Sequence, residues 1–166
     1  MRYIKGVSLL FLSALVFVIP LLAASSSRYE DDSFATLTRA KSLKCYFGKG
    51  CSAEWTQEGV RTELLEKFSD DPFQNSMVFD IVDLEKGLAK KVMRSGGTFD
   101  ARVMKIGGQL TFIETWADGD IAITTIFPKK DKNTGKYLLV HSRHNSFPMD
   151  RMPIPSQYYG TCEVLK

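Results

Sequence analysis

The chain has 166 residues, 44% of them hydrophobic and 25% charged, with a formal net charge of +3. Such a composition excludes a disordered, collagen-like or multi-span membrane chain and fits one globular domain with one core. It does not select a function.

Met1 to Gly6 carries Arg2 and Lys5, Val7 to Leu22 is apolar except for Ser8 and Ser13, and Ala23-Ala24-Ser25-Ser26-Ser27 is small. A basic, an apolar and a small-residue zone in that order predict a signal peptide over residues 1–25 and delivery to an extracytoplasmic compartment, periplasmic or secreted. The competing reading is an uncleaved anchor, because Val7 to Ala24 approaches the length that spans a bilayer, although Pro20 interrupts it. Membrane contact is expected only through this segment, if it is uncleaved. Removing it takes Arg2 and Lys5 from the 22 basic side chains, leaving 20 against 19 acidic ones. No stretch gathers four Lys or Arg, the nearest being Lys129-Lys130-Asp131-Lys132, so no nucleic-acid partner is expected.

Residues 26–42 read as a polar tether containing Glu30-Asp31-Asp32 and ending in a short helix capped by Asp32 or Ser33. From Leu43 the text changes to short β-type runs separated by Gly, Asn and Asp, which predicts a single β domain over 43–166. The runs are Leu43 to Phe47, Ser76 to Leu84, Leu88 to Arg94, Thr98 to Ile106, Gln109 to Trp116, a strand from Ile121, Lys136 to Arg143 and Ser156 to Leu165. Between the first two lies an insertion, 52–74, in which Val60, Leu64 and Phe68 are spaced for a helical turn.

Two turns set registers. Gly107-Gly108 as a two-residue turn places Ile106 opposite Gln109, Val103 opposite Phe112, Ala101 opposite Glu114 and Phe99 opposite Trp116. One face is then apolar, with Phe99, Ala101, Val103, Leu110, Phe112 and Trp116, while Asp100, Arg102, Thr111 and Thr115 occupy the other. Asp118-Gly119, read the same way, places Trp116 opposite Ile121, Glu114 opposite Ile123 and Phe112 opposite Thr125. Eight strands on short connections leave no room for crossover helices. They predict an all-β, antiparallel up-and-down barrel closed by its first and last strands.

Three cysteines enter an oxidising compartment if the chain is exported. Alternation points Cys45 and Cys162 inward on the first and last strands, so a Cys45–Cys162 bridge across the seam is the leading pairing. Cys45–Cys51 and Cys51–Cys162 remain open, and one thiol stays odd in every case. With no CxxC and only two His, no metal site or other cofactor is expected.

Glu114 is the most informative polar residue, because both registers put a carboxylate on the apolar face, where it must be paired, protonated or facing a wet cavity. Thr125 lies near it, and Arg143, His141, a Tyr hydroxyl or a water are candidate partners. His141 and Arg143 share one face of their strand, Ser142 and His144 the other. A Ser142, His144 and Asp150 triad lacks a nucleophile elbow, so no catalytic residue is assigned. Tyr158-Tyr159-Gly160, with Trp55 and Trp116, offers aromatic surface for a ligand, against the plainer reading as strand packing. The expected ligand-binding set is Glu114, Thr125, His141, Arg143, Trp116 and Tyr158.

Leu110-Thr111-Phe112-Ile113-Glu114, Thr124-Thr125-Ile126-Phe127, Ser142-Arg143-His144 and the ending Pro155-Ser156-Gln157-Tyr158-Tyr159-Gly160-Thr161-Cys162 resemble a group of small exported bacterial proteins of unknown function. The resemblance covers about residues 43–166 and implies an envelope location but no chemistry. By strand count the architecture also resembles lipocalin or avidin-like barrels, without the Gly-x-Trp of the first lipocalin strand. The expected function is binding of a small, partly apolar ligand in or at the mouth of the barrel. The alternative is an envelope interaction module with a solid core and a protein partner, with a hydrolase third.

Overall fold

The computed structural model describes residues 32–69, 75–146 and 153–165. The expected signal peptide, the start of the expected tether, residues 70–74 of the insertion and residues 147–152 of the long loop, Asp150 included, lie outside the described residues. Nine strands follow in chain order: β1 (Ser42–Thr56), β2 (Gly59–Leu65), β3 (Ser76–Asp83), β4 (Leu88–Val92), β5 (Thr98–Ile106), β6 (Gln109–Thr115), β7 (Ile121–Lys130), β8 (Tyr137–Ser146) and β9 (Pro153–Leu165). Consecutive strands from β3 to β9 pair antiparallel, and β1 pairs with both β3 and β9. Eight strands therefore close into the expected barrel, and β2 is an extra strand bonded to β1 alone.

The seam is where the sequence placed it. Cys45 stands opposite Cys162 in the β1–β9 ladder, and the two form the disulfide while Cys51 is free. Two residues later Phe47 faces Gly160, where a Cβ would run into the Tyr46 carbonyl, so glycine permits the strands to approach. The ladder shifts between Phe47 and Gly50. Beyond that bulge β1 leaves β3 and pairs with β2, projecting as a hairpin.

That hairpin corrects the expected helical turn. Val60 and Leu64 are four residues apart, a spacing that matches one helical turn but is also a multiple of the strand repeat of two. With Thr56 closing onto Gly59 around Gln57-Glu58, the strand wins, and Val60 and Leu64 end on one exposed face of β2.

The β5–β6 register is as predicted, with Val103 opposite Phe112 and Ile106 opposite Gln109. The β6–β7 register is one residue off. The Trp116 N–H donates to the Asp120 carbonyl at 3.0 Å and the Gly119 N–H to the Trp116 carbonyl at 3.1 Å, with Gly119 at φ 96°. This is a three-residue loop with a left-handed glycine, not a two-residue turn. The extra loop residue turns β7 over, so Ala122, Thr124 and Ile126 face inward and Ile121, Ile123 and Thr125 do not.

Helix 32–39 is longer than a capped tether end, since Asp32 and Ser33 are both already helical. Its Leu37 is fully buried in the same cluster as Leu43, Phe79, Val103, Leu110, Phe112, Ile126 and Leu139. The helix precedes β1 and so stops the barrel end at which β1 begins. Phe79 stacks on Phe112 at 4.5 Å between ring centroids inside it. This half of the barrel is packed with side chains, as an eight-stranded interior permits.

Candidate functional site

The other end of the barrel carries the polar interior. Inward positions on β4, β6, β7 and β8 fall into rows: Lys91 opposite Phe99, Glu114 opposite Ala122 opposite Arg143, and Phe112 opposite Thr124 opposite His141 opposite Tyr158. Ala122 leaves the space between Glu114 and Arg143 without a large side chain. Glu114 and His141 are 0% and 1% exposed.

Glu114 is held by Lys91, whose Nζ lies 2.7 Å from Oε2. The same ammonium sits 5.6 Å from the centre of the Trp116 ring, and Trp116 stacks on Phe99 at 5.4 Å. His141 Nδ1 lies 2.8 Å from the Thr124 hydroxyl. The imidazole is walled by Phe47 at 4.9 Å, Phe68 at 5.7 Å and Tyr158 at 6.4 Å, and the Arg143 guanidinium lies 5.8 Å from the Phe68 ring. Among the described residues, Glu114 Oε1 and His141 Nε2 in this interior have no hydrogen-bond partner. A buried polar atom without a partner costs about 1–3 kcal/mol, so each is a place where a guest would be stabilised.

Of the expected set, Glu114, His141, Arg143, Trp116 and Tyr158 are gathered at this end of the barrel. Thr125 is not: its hydroxyl lies 3.3 Å from that of Thr111 on the outer side of the sheet, and Thr124 takes the inner place. Tyr158 is buried whereas Tyr159 is half-exposed, so the two make no common platform. Sequence reasoning missed Lys91 and Phe68. Lys91 was within reach, since alternation from buried Ala89 puts it inside, two residues along the β4–β5 ladder. Phe68 comes from the insertion, where its spacing from Val60 and Leu64 suggested a helical turn and nothing connected it with His141.

Burial, reinforced by the positive charges of Lys91 and Arg143, pushes the His141 imidazole down to about 3. The unfolded chain takes up that proton near pH 6.5. Stability from this residue is therefore complete above about pH 6.5, falls as the pH drops towards 3, and by pH 4 the loss is roughly 3 kcal/mol. Unfolding free energies from urea titrations at pH 7 and pH 4 are expected to differ by that amount more in the wild type than in His141→Phe. Equal pH dependence in the two proteins would contradict the assignment.

Clefts also lie outside the barrel, among them one at the hairpin tip from Thr56 to Arg61. Another of about 480 Å³ opens between the β1–β2 hairpin and the β8–β9 wall, against Cys51, Thr62, Leu64, Ser142, His144 and Gln157. One of about 320 Å³ crosses the outer face of β4 to β6 near Leu88, Arg102 and Ile113. Among the described residues no three His, Cys, Asp or Glu side chains come together to hold a metal ion, and no helix is long and apolar enough to cross a membrane. A buried disulfide is compatible with an extracytoplasmic protein. No protein-family model matches the chain, and no curated protein and no solved structure matches it either.

Proposed function

We propose that the chain is an exported, periplasmic or secreted binding protein that takes a small, partly apolar ligand at the Glu114 end of its barrel. The observation that supports this reading is the pair of buried atoms Glu114 Oε1 and His141 Nε2 on one polar inner wall, both without a hydrogen-bond partner among the described residues. Oε1 of the Glu114 carboxylate can only accept, so the guest that fits presents a hydrogen-bond donor there, while Lys91 and Arg143 beside it favour an uncharged accepting group at the same polar end. The stacked Phe99 and Trp116 rings supply apolar contact for the rest of it. In this arrangement the ligand's polar end reaches the interior and its apolar body lies on the aromatic pair.

The test is native mass spectrometry of the mature protein purified from its own envelope. A small adduct that dissociates on denaturation, and is lost in Glu114→Gln, is the expected result. A bare wild-type protein, or the same adduct at the same occupancy in the variant, overturns the reading.

A second reading, an interaction module with a filled barrel, is favoured by a different observation. The half of the interior near helix 32–39 is packed solid, while the projecting hairpin exposes Trp55, Val60 and Leu64 at 47%, 56% and 84%. Bulky side chains at that exposure on one small element mark a contact surface.

A further inference from the structure

The barrel has no free edge, but β2 does: among the described strands it alone has a single neighbour. Its seven residues are exposed except Leu65, which is half-buried. The hairpin closes through Thr56 and Gly59 around two loop residues. In such a hairpin the closing pair exchanges both backbone hydrogen bonds, and bonding then alternates along the ladder. Gly59, Arg61 and Glu63 therefore turn their N–H and C=O groups towards β1. Val60, Thr62 and Leu64 turn theirs outward, a row of unpaired donors and acceptors.

The sequence of that row is self-complementary. Laid antiparallel against its own copy with Thr62 opposite Thr62, Val60 meets Leu64 and Arg61 meets Glu63. The outward-bonding residues coincide, so Thr62 exchanges two hydrogen bonds with Thr62 of the second copy and each Val60–Leu64 pair exchanges two more. On one face Trp55, Val60, Leu64 of the second copy and Cys51 of the second copy fall in one row, because Trp55 pairs with Val60 and Cys51 with Leu64 within each hairpin. On the other face Arg61, already 2.6 Å from Glu54, gains Glu63 of the second copy, a carboxylate that has no ion-pair partner among the described residues. Guanidinium has donors enough for both.

We propose that β2 is a self-pairing edge through which two copies of this chain form a two-fold dimer, joining their hairpins into one four-stranded ribbon centred on Thr62. The pairing covers Val60 and Leu64 and removes the exposed edge. It closes on itself, because an isologous contact leaves no surface for a third copy. It stands independently of any ligand at the Glu114 end.

Sedimentation velocity of the mature protein across a concentration series, with and without reductant, tests it. A dimer with a dissociation constant of about 1–100 µM is expected, as suits a small interface. It persists in reductant, which a dimer linked through Cys51 would not. Thr62→Pro removes an N–H that points away from β1, so the hairpin and the unfolding midpoint are retained while the dissociation constant rises by more than about tenfold. Glu63→Arg, which sets two guanidinium groups against each other, weakens the dimer in the same direction without touching the backbone. A protein that stays monomeric to about 300 µM, or a reductant-resistant dimer indifferent to both substitutions, overturns the proposal.

Discussion

Replacing Cys45 and Cys162 together by alanine is expected to lower the unfolding free energy by about 4–5 kcal/mol. The bridge spans 117 residues of sequence, nearly the whole barrel, and so removes most of the loop-closure freedom that the unfolded chain would otherwise have. Since domains of this size are stable by about 5–15 kcal/mol, the loss is a large share of the total. The β1–β9 ladder from Ser42 to Ser52 remains in the variant, so the barrel still closes, but it opens at lower denaturant. Urea unfolding at neutral pH, with Cys51→Ser as the control, reads the effect. The control should unfold at the wild-type midpoint; if it fell as far as the double variant, Cys51 would be a member of the stabilising pair.

Lys91→Met is expected to cost about 3–5 kcal/mol, because it leaves the carboxyl of Glu114 fully buried without its cation. The loss comes from the stranded acid rather than from the ion pair itself, and this separates two variants that would otherwise look alike. Adding Glu114→Leu to Lys91→Met removes the stranded group, and most of the lost stability is expected to return. Denaturant midpoints of the wild type, the single and the double variant decide the matter. A Lys91→Met protein within about 1 kcal/mol of the wild type would mean that Glu114 finds another partner when Lys91 is gone.

The strand pattern was legible because alternation and glycine-bearing turns are local. Gly107-Gly108 set the β5–β6 ladder correctly, and inward-pointing Cys45 and Cys162 announced the seam. Glu114 was recognisable as an interior acid because its own strand alternates cleanly. The same locality explains the failures. Asp118-Gly119 is compatible with a two- or a three-residue loop, and only the packing of Ala122, Thr124 and Ile126 against the core chooses between them. Val60 and Leu64 fit a helix or a strand equally, and the choice fell to a pairing with β1 that no spacing records.

By itself the sequence determined the fold class, the barrel closure and the acid inside, because each follows from alternation along a strand or from the chemistry of a turn; it made Cys45–Cys162 the leading pairing but left two others open, and the β1–β9 register chose among them. The tertiary structure alone decided that Lys91 answers Glu114, that Phe68 walls His141, that Thr124 rather than Thr125 faces inward, and that β2 is left with an open edge. Those four outcomes depend on which strands become neighbours and at what stagger. Such distances are set by the closure of the whole barrel, not by any stretch of chain read alone.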